Sequence, residues 1–207
     1  MIFKTQNVRA SKYTQAKATS FLGNHLKYLQ YRDRAHQESR ADRLFFNAQQ
    51  EELNWRPVAK EVMQEERAGD IYFHRMVFSP ADDEPVPDWQ AWTRALMSDL
   101  EKRLGKSLTW YAVHHQNTAH PHMHVIMRGT GIDRETGRAV PVTLNPQDFK
   151  FLRDKGREHS EYENQRFLEQ TIRDLHEQDS MLQELELIPG ERGPQKHERE
   201  SYADIDR

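Results

Sequence analysis

The stretch WYAVHHQNTAHPHMHVIMR, residues 110–128, constrains the fold more than any other part of the chain. Two runs rich in β-branched and aromatic residues flank a short polar segment that ends in proline. Runs of that composition read as strands. A connection this short joins antiparallel neighbours, because parallel strands need a crossover of a dozen residues or more. The chain therefore contains a hairpin whose side chains alternate between two faces. His122 and His124 share one face, with Met123 and Val125 on the other. His115 ends the first strand and returns to the same edge, so three imidazoles can converge on one ion.

Five of the eleven histidines lie between residues 114 and 124. For a single histidine, a surface position at a strand end is the better explanation. A strand-borne His-x-His with a third histidine returning beside it points instead to a metal. Three protein ligands leave positions open for water or substrate, which is the catalytic arrangement. The chain has no cysteine, which excludes disulfides and thiolate ligands. Imidazoles suit Zn, Cu, Ni, Fe and Mn. His114 and His120 are left over, each an orienting residue, a proton carrier or a bystander, and Pro121 biases His120 towards an extended backbone.

The remaining elements fit an α+β fold. IFKTQNVR reads as a short first strand, and YTQAKATSFLGNHLKYLQYRDR as a helix, with Gly23 weakening its continuity. LFFNAQQEELNWR is ambiguous. PVAKEVMQEERAG reads as a helix that starts at Pro57 and stops before Gly69. DIYFHRMVFSP is a strand between Gly69 and Pro80. DWQAWTRALMSDLEKRLGK is an amphipathic helix ending at Gly105. Its stripe of Trp89, Trp92 and Leu96 is better read as core than as a base-stacking platform. AVPVTL is a short strand, and two helices follow, NPQDFKFLRDKGREHSE and EYENQRFLEQTIRDLHEQDSMLQELELI. These place a domain over residues 1–188, with a helical arm from about 146, and a polar tail or linker at 189–207.

No apolar run is long enough to cross a bilayer, and the N-terminus lacks a signal-peptide core. A cytoplasmic location is the default. The net charge of -3 argues weakly against a nucleic-acid partner, but residues 1–43 carry nine basic side chains against three acidic ones. A basic end of that kind is compatible with phosphate binding, and equally with a solvated helix face.

The run His115 to His124, H-x-N-x-x-H-P-H-x-H, resembles the motif of plasmid relaxases of the P-type mobilisation family, which includes the T-DNA border endonuclease and belongs to the His-hydrophobic-His nucleases. FHRMVFSPAD is similar to the Ser-Pro strand these proteins carry upstream. NHLKYLQYR is similar to the segment that holds their catalytic tyrosine. The resemblance implies a central antiparallel sheet flanked by helices, with the metal on the middle strands. It implies a single-strand DNA endonuclease that starts conjugative transfer or mobilisation. His115, His122 and His124 would hold a divalent ion, usually Mg or Mn, with Zn, Ni or Co as alternatives. Tyr28 would attack the scissile phosphate and keep a 5'-phosphotyrosyl link. Tyr31, on nearly the same helix face, is the runner-up, and Tyr13 a weaker third. Many relaxases have an acidic residue at the position of Asn117, whose amide can orient a histidine but cannot be a base. His120, His114 and His74 are candidates for that task, in that order. Lys27, Arg32, Arg34, Ser79 and Arg128 are candidates to meet DNA, although Ser79 could equally cap a turn and Arg128 could pair with Asp133 or Glu135. The implied partners are single-stranded DNA at an origin of transfer, accessory DNA-binding proteins and a coupling or type IV secretion apparatus. The implied setting is the cytoplasm of a bacterium carrying a plasmid or other mobile element.

Three other readings share these residues. Rolling-circle replication initiators and transposases of the same nuclease group generally place the tyrosine after the histidines, where Tyr162 is the candidate. A three-histidine hydrolase unrelated to DNA would work without Tyr28. A metal-stabilised module without catalysis would cut nothing.

Overall fold

A computed structural model describes residues 2–31, 43–81, 86–115 and 121–186, with side chains to residue 177. The chain divides into two compact units, Met1–Phe167 and Leu168–Arg207. The expected tail at 189–207 lies outside the described residues.

The first unit is built on a four-stranded sheet in the order β1-β2-β5-β4, with every neighbouring pair antiparallel. Its strands are β1 (Ile2–Arg9), β2 (Ile71–Ser79), β4 (Trp110–His115) and β5 (His122–Arg128). A smaller antiparallel sheet, in the order β3-β6-β7, joins β3 (Lys106–Ser107), β6 (Thr130–Asp133) and β7 (Ala139–Pro141). The helices are α1 (Gln15–Tyr31), α2 (Trp55–Val62), α3 (Trp89–Leu104) and α4 (Pro146–Glu186). The expected antiparallel sheet with flanking helices and a C-terminal helix is the architecture found.

Alternation along the strands divides the core in two. One face presents Met76, Phe78, Met123, Val125 and Met127 to Trp92, Leu96, Met97 and Leu100 of α3 and Leu152 of α4. The other presents Val8, Phe73, Val113 and Ile126 to Ala18, Leu22, Leu26 and Leu29 of α1 and to Val58 and Val62 of α2. The α1 residues recur every three or four positions, so one stripe of the helix is buried whole. Helix α3 begins where the Asp88 carboxylate accepts from the backbone N–H groups of Gln90 and Ala91. It stops at Gly105, whose φ of 65° is the left-handed turn that glycine adopts without a Cβ penalty.

Two helices differ from expectation. Helix α2 runs from Trp55 to Val62 rather than from Pro57 to Ala68. The following residues form a strap that satisfies the small sheet and β5: the Ala68 N–H donates to Thr130 Oγ1, and the Arg128 guanidinium donates to Gln64 Oε1 and the Glu66 carbonyl. Residues 146–186 form one helix rather than two. It passes through Gly156, whose carbonyl accepts a 2.8 Å hydrogen bond from the buried Trp92 indole. Tertiary bonding outweighs the glycine's low helix propensity there. In the second unit the continuation of α4 leaves Leu168, Ile172 and Leu175 exposed. No described helix is long and apolar enough to cross a membrane.

Candidate active site

The register of the hairpin pairs His115 with His122 and Val113 with His124. All three histidines therefore lie on the face of the sheet that carries α1. Their candidate ligand nitrogens fall within 4.8 Å of one another. The Nε2 atoms of His122 and His124 are 3.1 Å apart. Burial, together with the charges of His115, His122, His25 and Arg75, lowers the His124 pKa to about 2. Its ring is thus neutral, the form in which an imidazole can donate a lone pair to a metal.

His115 is buried, and its Nε2 is 3.1 Å from the carbonyl oxygen of Leu29. That carbonyl belongs to the last turn of α1, where helical carbonyls lack an intrahelical partner. A carbonyl can only accept, so the proton of His115 sits on Nε2 and the lone pair on Nδ1. Backbone carbonyls commonly orient metal-binding histidines in this way. The contact also fastens the end of α1 over the triad. Tyr28 precedes Leu29 on that helix and is 52% exposed; Tyr31, its last residue, is 57% exposed. Tyr13 precedes the helix.

A family model for the MobA/VirD2-like relaxases, describing their nuclease domain, matches residues 28–160. The chain belongs to this relaxase family. It is accordingly a DNA-nicking enzyme, and the matched span runs from Tyr28 through the hairpin into α4. No curated protein matches the chain. It is similar to solved structures of the conjugative relaxase TrwC. One, with a 27-mer DNA comprising the recognition hairpin and cleavage site, has a TM-score of 0.45 at 12% identity, covering 80% of this chain and 69% of that one. A metal-bound complex of TrwC with oriT DNA has a TM-score of 0.48 at 10% identity, covering 80% and 70%. At that distance no residue role passes from TrwC to this relaxase.

Several candidate residues of this relaxase stand elsewhere than expected. His114 points to the opposite face of the sheet, where its ring stacks on Trp89 at 4.0 Å between centroids. It therefore does not orient a triad imidazole. His74 is also on that far face, fully buried, with Nδ1 2.8 Å from Asn7 Oδ1 and Nε2 2.9 Å from the Val142 carbonyl. The sheet therefore separates it from α1, which carries Tyr28. Arg128 is on the triad's face, but Gln64 and Glu66 take its guanidinium, and neither Asp133 nor Glu135 does. The expected phosphate contact gives way to a structural clamp. Ser79 is buried and its hydroxyl donates to the Pro121 carbonyl at 3.3 Å, tying the end of β2 to the start of the histidine strand. Lys27 Nζ lies 4.6 Å from the Trp55 ring centroid. Arg32, Arg34, Asn117 and His120 lie outside the described residues.

Two neighbours of the triad went unnoticed in the sequence. His25, one turn before Tyr28 on α1, has its ring 6.5 Å from that of His124. Burial, then Arg75 and His115, lowers its pKa to about 4. Arg75 of β2 donates from Nε to His25 Nε2 at 3.2 Å. These two residues are fifty positions apart. Only the packing of α1 over the sheet brings them together, and no local pattern relates one to the other.

Proposed function

We propose that this relaxase nicks single-stranded origin-of-transfer DNA by metal-assisted transesterification with Tyr28 as nucleophile. The observation that carries the reading is the hydrogen bond between His115 and Leu29, which ties a three-histidine cluster to the helix turn bearing Tyr28. His115, His122 and His124 would hold one divalent ion. Three imidazoles with no carboxylate favour Mn or a softer ion over Mg, which prefers oxygen ligands. The ion would polarise the scissile phosphate and stabilise charge developing on its oxygens.

The chain's own residues do the rest. Tyrosine titrates near ~10 and must lose its proton to attack at neutral pH. The Tyr28 phenolate oxygen forms a bond to phosphorus, the bond from phosphorus to the 3'-oxygen breaks, and the 3'-oxygen takes up a proton. The phosphotyrosyl ester conserves the energy of the broken bond, so the strand can be rejoined. His120 is the first candidate for the proton, since Asn117 cannot be a base. Lys27, Arg32 and Arg34, close to Tyr28 in the chain, would supply positive charge. Accessory and secretion proteins would act on the covalent complex.

The test uses overlapping single-stranded oligonucleotides tiling the origin region of the element that carries the gene, with Mn or Mg, resolved on denaturing gels. A protein–DNA adduct that requires metal and disappears in Tyr28→Phe is the expected result. An adduct that persists in Tyr28→Phe and disappears in Tyr31→Phe moves the nucleophile by one helical turn. Loss only in Tyr162→Phe would favour the replication-initiator chemistry. Cleavage without any adduct would favour a hydrolase.

A further inference from the structure

Between α1 and strands β1 and β2 lies a cavity of about 450 Å³, lined among others by Lys4, Gln6, His25, Arg75 and His124. Among the described residues no acidic side chain lines it. The residues share the triad's face by register. Lys4 pairs with Val77, which pairs with His124, and Gln6 pairs with Arg75 one row along. His124 and Arg75 are thus diagonal neighbours across two adjacent strands, a separation of roughly 7–8 Å in sheets generally.

The state of Arg75 is the unusual feature. A guanidinium carries five N–H donors. Here one of them, on Nε, goes to His25, and the charge rests over the ring of Phe21 at 5.3 Å. Both Nη groups lack a protein acceptor, and no carboxylate pairs with the residue among the described residues. Burial alone pulls its pKa below the ordinary arginine value, with no acidic neighbour to restore it. Four other arginines of the unit differ: Arg103 has Asp148, Arg94 has Glu51 and the Asn47 carbonyl, Arg134 has Glu101, and Arg128 has Gln64 and Glu66. A partly buried cation without an anion opposes folding. Such a cost persists where a ligand supplies the missing partner.

We propose that this cavity is a phosphate subsite, in which Arg75 receives a phosphodiester of the bound strand adjacent to the one being cut. This rests on the single-stranded substrate proposed above. The diagonal spacing from His124 suits successive phosphates of an extended strand rather than two oxygens of one phosphate. The Nη edge offers the bidentate geometry that phosphate oxygens match. His25 takes the Nε–H and so fixes the plane of the fork. Lys4, exposed on the edge strand, adds charge on the open side.

The experiment measures binding of fluorescein-labelled single-stranded origin oligonucleotides in EDTA across a salt series, for wild type and Arg75→Gln. The variant should bind about tenfold more weakly, and its salt slope should shrink by about 0.7, the value of one phosphate contact on a single strand. A methylphosphonate that neutralises the contacted phosphate should weaken the wild type and leave the variant unchanged. The variant's Tm should equal or exceed that of wild type, because a desolvated charge has been removed. Unchanged affinity and slope in Arg75→Gln, with wild type binding and cutting normally, would overturn the subsite alone. A variant whose Tm drops by several degrees while its salt slope stays intact would assign Arg75 a structural role. Failure of the wild type to bind any origin strand would overturn the proposed function and the subsite with it.

Discussion

His74 offers a direct measurement of how strongly the fold suppresses protonation. Its ring is fully buried between Asn7 and the Val142 carbonyl. Burial outweighs the opposing hydrogen bond to Val142 and, aided by the charge of Arg9, lowers its pKa from 6.5 to about 4. In the unfolded chain the ring binds a proton below about pH 6.5; in the folded chain it resists until about pH 4. Between those values the unfolded state carries one more proton at this position, so stability is lost as the pH falls, by about 1.4 kcal/mol per pH unit. Over the whole window the loss reaches about 3 kcal/mol from this ring, a large share of a typical domain's stability. The assay is urea unfolding of wild type and His74→Gln at intervals from pH 7 to 4. His25 and His124 also have lowered pKa values, but they contribute equally to both proteins. The variant should be less stable at pH 7, and the two curves should converge as the pH drops. Parallel curves would refute the reasoning, because they would mean that His74 takes up no extra proton on unfolding.

Three other outcomes follow from the geometry. Adding Mn at about one hundred times its Kd should stabilise the wild type by about 2.7 kcal/mol, raising Tm by roughly 5–10 °C in a thermal melt, and His122→Ala should abolish the shift. Gly129→Ala should cost more than about 4 kcal/mol and yield insoluble or cold-melting protein, since a Cβ there would lie 2.0 Å from the Ile71 carbonyl oxygen; a normal Tm would contradict the close packing of β5 on β2. Asp88→Ala should lower stability by about 1 kcal/mol in chemical denaturation, because the carboxylate caps two N–H groups of α3.

What the sequence disclosed was local. The hairpin at 110–128, the shared face of His122 and His124, and the boundaries of α3 follow from period, turn residues and caps. Each depends on residues within a few positions. What it withheld was long-range. Alternation alone sends His114 away from His115, and that much was available in the sequence, yet proximity to the triad in the chain outweighed parity in the reading. For Arg128 the sequence offers nearby carboxylates, Asp133 and Glu135, whereas its actual acceptors, Gln64 and Glu66, sit more than sixty positions away on the strap that follows α2. His25 and Arg75 lie in two segments that share the family resemblance, yet nothing local pairs one with the other. Their meeting depends on which sheet face α1 covers, and a single sequence does not fix that.

In the proposed complex, the hydrogen bond from His115 to Leu29 would make two equilibria interdependent. A strand that draws the end of α1 tight against the sheet would also hold the His115 ring in one tautomer, and an ion on that ring would hold the helix end in turn. Thermodynamic linkage requires the two effects to be equal in free energy. Substrate strand and ion would then raise each other's affinity by the same factor. A cell poor in the metal would retain relaxase that grips its origin less firmly, so the supply of an inorganic ion would set how often the strand is opened.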